Sequence, residues 1–301
     1  MPPRILVVGR TGQLAASLAI HGGLDVQCLG RPALDLEQPH TIAAALNEVA
    51  PTLVVNAAAY TAVDAAESDA AAALRVNRDG PAELARHCAA AGLPLIHVST
   101  DYVYDGTKAA PYIEADATNP QGVYGSSKLA GELAVLAQCP RAIVLRTSWV
   151  YAPFGKNFVR TMLRLGEQQE RLRVVADQRG CPTSALALAR AILAIAARLA
   201  ETGWRDDYAG IYHAAGDGEA TWHQLAEATF AAAARHGARV PVVEPIATAD
   251  YPTKAKRPAD SRLDCTKLAA TFGARLPPWR DSLAETIDAI FVHAHALQAA
   301  G

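Results

Sequence analysis

The sequence predicts an α/β protein with a doubly wound parallel sheet and a smaller, mostly C-terminal α/β domain. Three observations lead to this prediction. Short β-branched runs alternate with alanine-rich helical stretches, the apolar runs are nearly continuous, and a glycine-containing turn follows the first of them. Continuous apolar strands that alternate with helices are typical of a parallel sheet covered by helices on both faces.

The elements of the sheet can be assigned in chain order. "RILVVG" is the first predicted strand, and the helix in "GQLAASLAIHG" ends at glycine. "LDVQCLG" is the second strand, and Pro51 stops the helix in "HTIAAALNEVA". Further strands are predicted in "TLVVNAAA", "LPLIHVST" and "RAIVLRTSWV", with helices such as "GPAELARHCAAAG" between them.

The alternation weakens after Val150, which suggests a second domain. "LALARAILAIAARLA" and "GIYHAAG" predict one more helix and strand of the main sheet. From Ala214 onward the sequence predicts helices separated by proline-containing loops, without a strand pattern. The predicted division places residues 1–150 and about 185–213 in the main domain, and about 151–184 and 214–301 in the smaller one.

Composition excludes several classes of protein. The chain has 301 residues, 51% of them hydrophobic, and a net charge of −2, so neither a nucleic acid nor another polyanion is the expected partner. The longest apolar run is interrupted by Arg190 and Arg198, and the apolar stretch at the start is too short for a signal peptide. The five scattered cysteines show no metal-binding spacing. We expect a cytoplasmic protein without a membrane segment or a metal.

The turn "VVGRTGQLA" follows the first strand and opens the first helix, as a phosphate-binding loop does. Gly9 permits the tight turn, Gly12 lets backbone approach a diphosphate, and Ala15 allows close helix–strand packing. The alternative is a structural turn that binds nothing, because the G-x-x-G-x-x-A spacing is looser than the dinucleotide fingerprint. The loop residues predicted to bind a dinucleotide in a Rossmann-like domain are Gly9, Thr11, Gly12, Gln13 and Leu14.

The end of the second strand predicts which dinucleotide is preferred. An acidic residue at this place would bind the free ribose 2′-hydroxyl of NADH, but the chain offers Gly30 and Arg31. An arginine can pair with the 2′-phosphate of NADPH, so NADPH is the expected cofactor and NADH the alternative. Asp35 and Leu36 are predicted to contact the adenine.

"YGSSK" places Tyr124 and Lys128 on one helix face, and "VSTDYVYDG" places Thr100 at the end of a preceding strand. A tyrosine phenol has a reference pKa near ~10. We expect the ammonium of Lys128 to lower the pKa of Tyr124 and so prepare it for proton exchange. Thr100 can hydrogen-bond the same reacting oxygen. The alternative for Y-x-x-x-K alone is an ordinary surface helix.

Together these segments resemble the extended short-chain dehydrogenase/reductase superfamily and, within it, the dTDP-4-dehydrorhamnose reductase family. The motifs that carry the resemblance extend over nearly the whole chain. They are "GRTGQLA", "VVNAAAYTAVDAAE", "VN" at 76–77, "STDYVYDG", "NPQGVYGSSKLAGE", "LRTSWVYAPFGKNFV", "VVADQRGCPTS", "GIYHAAG", "TWHQLA" and "RPADSRLDCTKL".

The resemblance implies reduction of the C4 ketone of a dTDP-sugar by NAD(P)H. Thr100, Tyr124 and Lys128 would be catalytic, with Lys128 also anchoring the nicotinamide ribose. The stretch Ala57, Ala58, Ala59 and Tyr60 would line the cofactor. The residues expected on the substrate side are Thr100, Asp101, Tyr102, Val103, Tyr124, Trp149, Asn157 and Arg257. Trp149 would face the deoxyhexose, and Arg257 would neutralise the diphosphate. Trp222 is expected only to pack.

Several alternatives remain open from the sequence. Some family members dimerise through magnesium held by glutamates, but Ser17 occupies one such position here, so a monomer or a metal-free homodimer is expected. A sister 4-ketoreductase of opposite face selectivity, giving a 6-deoxy-L-talose, would share these motifs. A non-catalytic NAD(P)-binding regulatory subunit would have lost Thr100, Tyr124 or Lys128, all of which are present.

Overall fold

A six-stranded parallel sheet forms the centre of the protein. The computed structural model describes residues 3–299, and their side chains as far as residue 292. Its strands are β1 (Ile5–Val8), β2 (Val26–Leu29), β3 (Leu53–Asn56), β4 (Leu95–Thr100), β5 (Ala142–Thr147), β6 (Val150–Tyr151), β7 (Arg171–Val175), β8 (Arg179–Gly180), β9 (Thr183–Ser184), β10 (Gly210–His213), β11 (Ala220–Thr221) and β12 (Val242–Ile246). Its helices are α1 (Gln13–Gly22), α2 (Pro39–Val49), α3 (Val63–Ala66), α4 (Ala70–Leu74), α5 (Gly80–Ala90), α6 (Val123–Gln138), α7 (Phe158–Gln168), α8 (Ala185–Thr202), α9 (Trp222–Ala234), α10 (Thr266–Phe272) and α11 (Trp279–Ala299).

The strand order of the main sheet creates a crevice at one edge. The order is β2–β1–β3–β4–β5–β10, and every neighbouring pair is parallel. The chain runs outward from β1 to β2 and then returns to β3 on the other side. The loops after β1 and β3 therefore leave the sheet in opposite directions, which opens the crevice in which such sheets bind ligands.

Helices cover both faces of this sheet, as the continuous apolar strands predict. Ile5 and Val7 of β1 belong to a core shared with α1, α8 and α10. Leu6 and Val8 point the other way, into a core shared with α2, α5 and α6. All four residues are at most 1% exposed. Alternate side chains of β1 thus belong to two separate cores, one on each face of the sheet. The predicted doubly wound α/β fold is confirmed.

Helix α6 carries the "YGSSK" segment and lies very close to its neighbours. A Cβ built on Gly125 would come 2.2 Å from the carbonyl oxygen of Tyr102, and one on Gly131 would come 1.9 Å from that of Asn77. Only glycine leaves room for these approaches. Glycines on both sides of Lys128 therefore let α6 pack directly against the turn that follows β4 and against the backbone of Asn77.

A smaller region packs beside the carboxyl edge of the sheet. It contains the pairs β6–β9, β7–β12 and β8–β11 and the helices α7, α9 and α11. The expectation of no strand after Ala214 was wrong, because β11 and β12 lie there. Pro245 interrupts the pattern of β12, which pairs with β7 from Val242↔Arg171 to Ile246↔Val175. In the described part of the chain, no helix is long and apolar enough to cross a bilayer.

Candidate active site

The loop between β1 and α1 has the geometry of a diphosphate cradle. Gly9 adopts φ +125°, where a Cβ would be strained and would lie 3.5 Å from the backbone of Ala57 and Ala58. Gly12 is the N-cap of α1, and no described side chain caps this end. The first amides of α1 are therefore available to an anion. A Cβ on Gly12 would meet no atom within 4 Å, so open space lies in front of them.

A cavity of about 470 Å³ lies beside this loop at the ends of β1 and β2. It is lined by the predicted adenosine contacts Gly30, Arg31, Asp35 and Leu36, together with Arg10 and other loop residues. The side chain of Arg31 is 63% exposed and is paired with Glu37 at 2.8 Å and Asp35 at 3.2 Å. Two arginines, Arg10 and Arg31, therefore border the place where a ribose 2′-phosphate would lie.

A second cavity, of about 580 Å³, joins the phosphate loop to the predicted reaction centre. Its lining includes Gly9, Thr11, Gly12, Gln13 and Leu14 on one side and Thr100, Tyr124 and Lys128 on the other, with Ala57, Ala58 and Ala59 between them. Segments that are far apart in the chain thus converge at the carboxyl ends of β1, β3 and β4. This convergence is the arrangement that a dinucleotide-dependent reductase requires.

The environment of Tyr124 differs from the expectation. Burial raises the pKa of its phenol to about 12, although a hydrogen bond between Thr100 and Tyr124 lowers it; the charge of Asp101 also raises it. The expected lowering by the ammonium of Lys128 was wrong for this structure. Lys128 Nζ donates instead to the carbonyl oxygen of Val98 at 2.7 Å. Tyr124 is therefore a protonated phenol at neutral pH, ready to donate.

Lys128 is almost completely enclosed, with 2% exposure. Burial lowers the pKa of its ammonium to about 8, and the negative charge of Glu132 opposes this shift. Burial disfavours the ammonium form of Lys128, so the fraction of Lys128 that is charged near neutral pH depends on the charges of neighbouring groups.

Thr100 ends β4 with its hydroxyl fixed by its neighbours. Its Oγ1 donates to Asp101 Oδ1 at 3.1 Å and accepts from the amide of Tyr102 at 3.2 Å. Asp101 is 2% exposed, and burial raises its pKa to about 6 in spite of hydrogen bonds from Ser261 and Thr100. Asp101 thus lies behind Thr100, where it orients the hydroxyl from the inner side.

The loop after β3 is held by a buried asparagine. Asn77 accepts from the amide of Tyr60 at 2.8 Å and donates to the Tyr60 carbonyl at 3.1 Å and to Ser127 Oγ at 2.9 Å. Thr61, rather than Tyr60, lines the cavity beside Ala59. The "VN" motif at 76–77 therefore ties the cofactor-side loop to α6 at Ser127, three residues after Tyr124 and next to Lys128.

A third cavity, of about 450 Å³, lies on the other side of Tyr102. Its lining includes Tyr102, Arg257, Asp64, Phe158, Gln178 and Trp222. Tyr102 meets Tyr124 edge to face, with ring centroids 5.6 Å apart, so this cavity adjoins the reaction centre. The guanidinium of Arg257 lies 5.9 Å from the ring of Tyr102. We refer to it as the predicted substrate cavity, because Tyr102 and Arg257, both expected on the substrate side, line it.

Arg257 lines this cavity and has a hydrogen-bond donor to offer a ligand. Its Nη2 is paired with Asp64 at 2.7 Å, whereas its buried Nη1 has no hydrogen-bond partner among the described residues. A buried guanidinium N–H without a partner is costly unless a ligand satisfies it. Arg257 is thus suited to an anionic group.

Of the eight predicted substrate residues, only Tyr102 and Arg257 line this cavity. Thr100 and Tyr124 line the cofactor-side cavity instead, and the remaining four, Asp101, Val103, Trp149 and Asn157, line neither. Val103 is fully buried in a cluster with Tyr104 and Tyr112. Trp149 stacks on Trp222, with centroids 3.5 Å apart and planes 7° apart. Asn157 caps α7 and donates from Nδ2 to Gln13 Oε1 at 2.8 Å. Trp149 therefore packs behind Trp222, which lines the cavity. Asn157 holds the side chain of Gln13 in the phosphate loop.

Sequence reasoning missed several lining residues. Arg10 could have been found, because it lies inside the predicted phosphate loop. Trp222 was assigned to packing only, yet it also lines the substrate cavity and donates to Gln178 at 3.1 Å. Its role depends on a stack with Trp149, a long-range contact that no local pattern signals. Other missed lining residues include Thr61, Thr147, Val150, Lys156 and Leu188 in the cofactor-side cavity and Asp64, Phe158 and Gln178 in the predicted substrate cavity.

Metal ligation receives no support from the described residues, which contain no group of three or more His, Cys, Asp or Glu side chains able to hold an ion. Ser17 is buried and donates to the carbonyl oxygen of Gln13 at 2.8 Å. Its hydroxyl is thus used within α1.

The fold and the converging residues define a nicotinamide-dinucleotide-dependent reductase of the short-chain dehydrogenase/reductase type. A family model described as the RmlD substrate binding domain matches residues 3–292. The chain belongs to the dTDP-4-dehydrorhamnose reductase family.

Individual relatives agree with this assignment. A dTDP-4-dehydrorhamnose reductase of Sinorhizobium fredii is 47% identical, over 96% of this chain and 98% of the relative. The crystal structure of such a reductase from Clostridium acetobutylicum is 36% identical, with a TM-score of 0.85 over 95% of this chain and 99% of that one. One from Bacillus anthracis, in complex with NADP, is 31% identical with a TM-score of 0.86, over 96% and 99%.

Proposed function

We propose that this protein reduces the C4 ketone of dTDP-4-dehydro-L-rhamnose to give dTDP-L-rhamnose, with NADPH as the reductant. The observation that carries the proposal is the single cavity that joins the phosphate loop to Thr100, Tyr124 and Lys128. The relatives named for this activity support the choice of substrate. The proposed cofactor fits the residues present, because open space faces the uncapped amides of α1.

The chain's own residues have defined tasks in this reaction. NADPH, when bound, supplies the hydride that reaches C4 of the sugar. Thr100, whose hydroxyl donates to Asp101 in this structure, turns this hydrogen bond to the ketone oxygen, and Tyr124 gives that oxygen its proton. The raised pKa of Tyr124, about 12, keeps the phenol protonated until the oxygen becomes basic. Lys128 anchors the nicotinamide ribose.

Substrate recognition is assigned to the cavity beyond Tyr102. Arg257 binds the diphosphate through its free Nη1, and Tyr102 separates this group from the reaction centre. Trp222 offers the apolar wall, while Trp149 supports it. Asp101 acts through Thr100, and Asn157 acts through Gln13. Val103 contributes by packing beneath this turn.

The proposal retains the predicted division of labour between two domains. Residues 1–150 and about 185–213 bind the dinucleotide, and about 151–184 and 214–301 complete the substrate site. The lining of the substrate cavity, which draws Tyr102 from the first part and Phe158 and Trp222 from the second, supports this division. A cytoplasmic location and a monomer or homodimer complete the proposal.

The Gly12→Ala variant tests the phosphate cradle. The backbone at Gly12, φ −70° and ψ 153°, suits alanine, so the free energy of unfolding should change by less than about 0.5 kcal/mol. The Kd for NADPH should rise about tenfold, because the methyl group occupies the approach to the α1 amides. Urea unfolding and NADPH fluorescence titration measure the two quantities. Ala19→Ser, on the exposed side of α1, is the control, and an unchanged Kd in Gly12→Ala would contradict the cradle.

Cofactor choice is tested by Arg31→Gln. Loss of one charge-assisted hydrogen bond to the 2′-phosphate should lower kcat/KM for NADPH by about tenfold and leave that for NADH nearly unchanged. Arg75→Gln is the matched control, since Arg75 shares the partner Glu37 at 3.0 Å but does not line the adenosine cavity. Equal losses with both cofactors would assign Arg31 a structural role instead.

The function itself is tested by a spectrophotometric assay with enzymatically prepared dTDP-4-dehydro-L-rhamnose. NADPH should be oxidised in proportion to the ketosugar added, and Thr100→Val should slow the reaction strongly. Absence of NADPH oxidation above the enzyme-free rate would refute the proposed activity.

A further inference from the structure

A buried carboxylate lies one helical turn beyond Lys128. Glu132 follows Lys128 by four residues on α6, so the two side chains share a face of the helix. Glu132 is fully buried, and Lys128 is 2% exposed. Neither the phosphate loop nor the substrate cavity uses Glu132, and the reaction proposed above gives it no task.

Glu132 is held by strand β5 and strand β4. Arg146 of β5 donates to both carboxylate oxygens, with Nη2 to Oε2 at 2.6 Å and Nε to Oε1 at 3.0 Å. Ser99 of β4 donates to Oε1 at 2.5 Å. Such a bidentate pair is fixed in direction as well as in distance. A buried ion pair contributes little stability compared with apolar packing, so stability does not explain the arrangement.

Arg146 is itself fixed from the far side. Its Nη1 donates to the hydroxyl of Tyr104 at 2.7 Å, and this hydroxyl lies 2.8 Å from Nε2 of His213. Burial lowers the pKa of His213 to about 4, so the imidazole is neutral and Nε2 can accept. The other ring nitrogen of His213 lies 3.0 Å from the carbonyl oxygen of Asp264. The carboxylate of Glu132 is therefore immobilised by a chain of hydrogen bonds that extends to the C-terminal region.

Lys128 shares its buried face of α6 with this carboxylate. Titratable groups face Lys128, Glu132 and Arg146 from several elements. They are His97 from β4, Asp101 and Tyr104 from the turn after β4, Tyr124 on α6, His213 from β10 and Glu114 beyond Tyr104. Burial holds the pKa of His97 well below its usual value, so this neighbour is neutral. Burial also lowers the pKa of Lys128, and the charge of Glu132 opposes that shift.

We propose that Glu132 is a positioning residue for Lys128, whose ammonium it keeps charged at the reaction centre while the hydrogen bond to the Val98 carbonyl fixes its direction. The inference rests on the proposed function, because that function gives Lys128 its place at the nicotinamide ribose. Arg146 and Ser99 act through Glu132 by fixing the carboxylate.

The pH dependence of NADPH binding tests this role. Lys128 is charged below its pKa of about 8, so NADPH should bind tightly there and more weakly as the pH rises through this value. In Glu132→Gln the opposing charge is gone, the pKa of Lys128 falls, and the midpoint of the weakening should move down by about one pH unit or more. The Kd is measured by NADPH fluorescence at pH values on both sides of 8.

The controls separate positioning from folding. Glu285→Gln removes a carboxylate from the exposed pair with Arg190 and should leave the midpoint unchanged. If Glu132→Gln does not fold, Glu132→Gln/Arg146→Met leaves neither ion unpaired in the core and should show a smaller downward shift. A weaker Kd at every pH with an unmoved midpoint, in whichever variant folds, would overturn the proposal.

The test is independent of sugar turnover. NADPH titration needs no ketosugar, so failure of the reductase assay would leave the midpoint shift interpretable. Conversely, if the protein reduces the ketosugar but the pH midpoint of NADPH binding does not move in Glu132→Gln, the proposed function stands and the role proposed for Glu132 is wrong.

Discussion

Replacing Tyr124 by phenylalanine is expected to lower kcat for the ketosugar by about 10²- to 10⁴-fold, the range for loss of a positioned proton donor. In the proposed reaction the phenol is the acid beside Thr100, and its pKa of about 12 holds the proton in place at neutral pH. The Kd for NADPH should change little, because phenylalanine preserves the ring that meets Tyr102. Steady-state kinetics and NADPH titration measure both quantities.

The matched control for Tyr124→Phe is Tyr208→Phe. Tyr208 is 1% exposed, and its hydroxyl lies 3.0 Å from Thr202 Oγ1 in the core under α8, outside the lining of the three cavities. This control loses a buried phenolic hydroxyl as well, yet kcat should stay near the parent value. If Tyr124→Phe kept more than about a third of the parent kcat, Tyr124 would not be the proton donor.

Arg146→Met is expected to lower the free energy of unfolding by about 3–5 kcal/mol. The substitution leaves the carboxylate of Glu132 buried without its partner, and the pair is only 2% and 0% exposed. Urea unfolding measures the loss. Arg190→Met provides the matched control, because the Arg190–Glu285 pair is 38% and 45% exposed and should contribute about 0–1 kcal/mol.

The double variant Glu132→Gln/Arg146→Met should recover much of that loss, since it buries no unpaired charge. A loss of less than about 1 kcal/mol in Arg146→Met would show that Glu132 finds another partner or becomes protonated. In either of those cases the carboxylate would not be a fixed charge beside Lys128.

The main fold could be predicted because its signals are local. The apolar runs of β1, β3, β4 and β5 are continuous, and the helices between them end at glycine or before proline. β12 could not be predicted in this way. It contains Pro245, and its pairing with β7 depends on a partner far away in the chain.

The reaction centre was predictable where the spacing of residues determines which atoms meet. Tyr124 and Lys128 share a helix face, and Thr100 ends a strand at the same edge of the sheet. The pKa of Tyr124 was not predictable, because burial outweighs neighbouring charges and burial follows from packing. Trp222 and Glu132 were likewise missed, since each is held in place by a residue on another element, Trp149 or Arg146.

The most direct test of the proposed reaction follows the hydride. The ketosugar is reduced with NADPH that carries deuterium at the transferring position of the nicotinamide, and the product is examined by NMR. We expect deuterium at C4 of a sugar with the L-rhamnose configuration. Product without deuterium at C4, or with deuterium at C4 in the L-talose configuration, would contradict the proposed reaction.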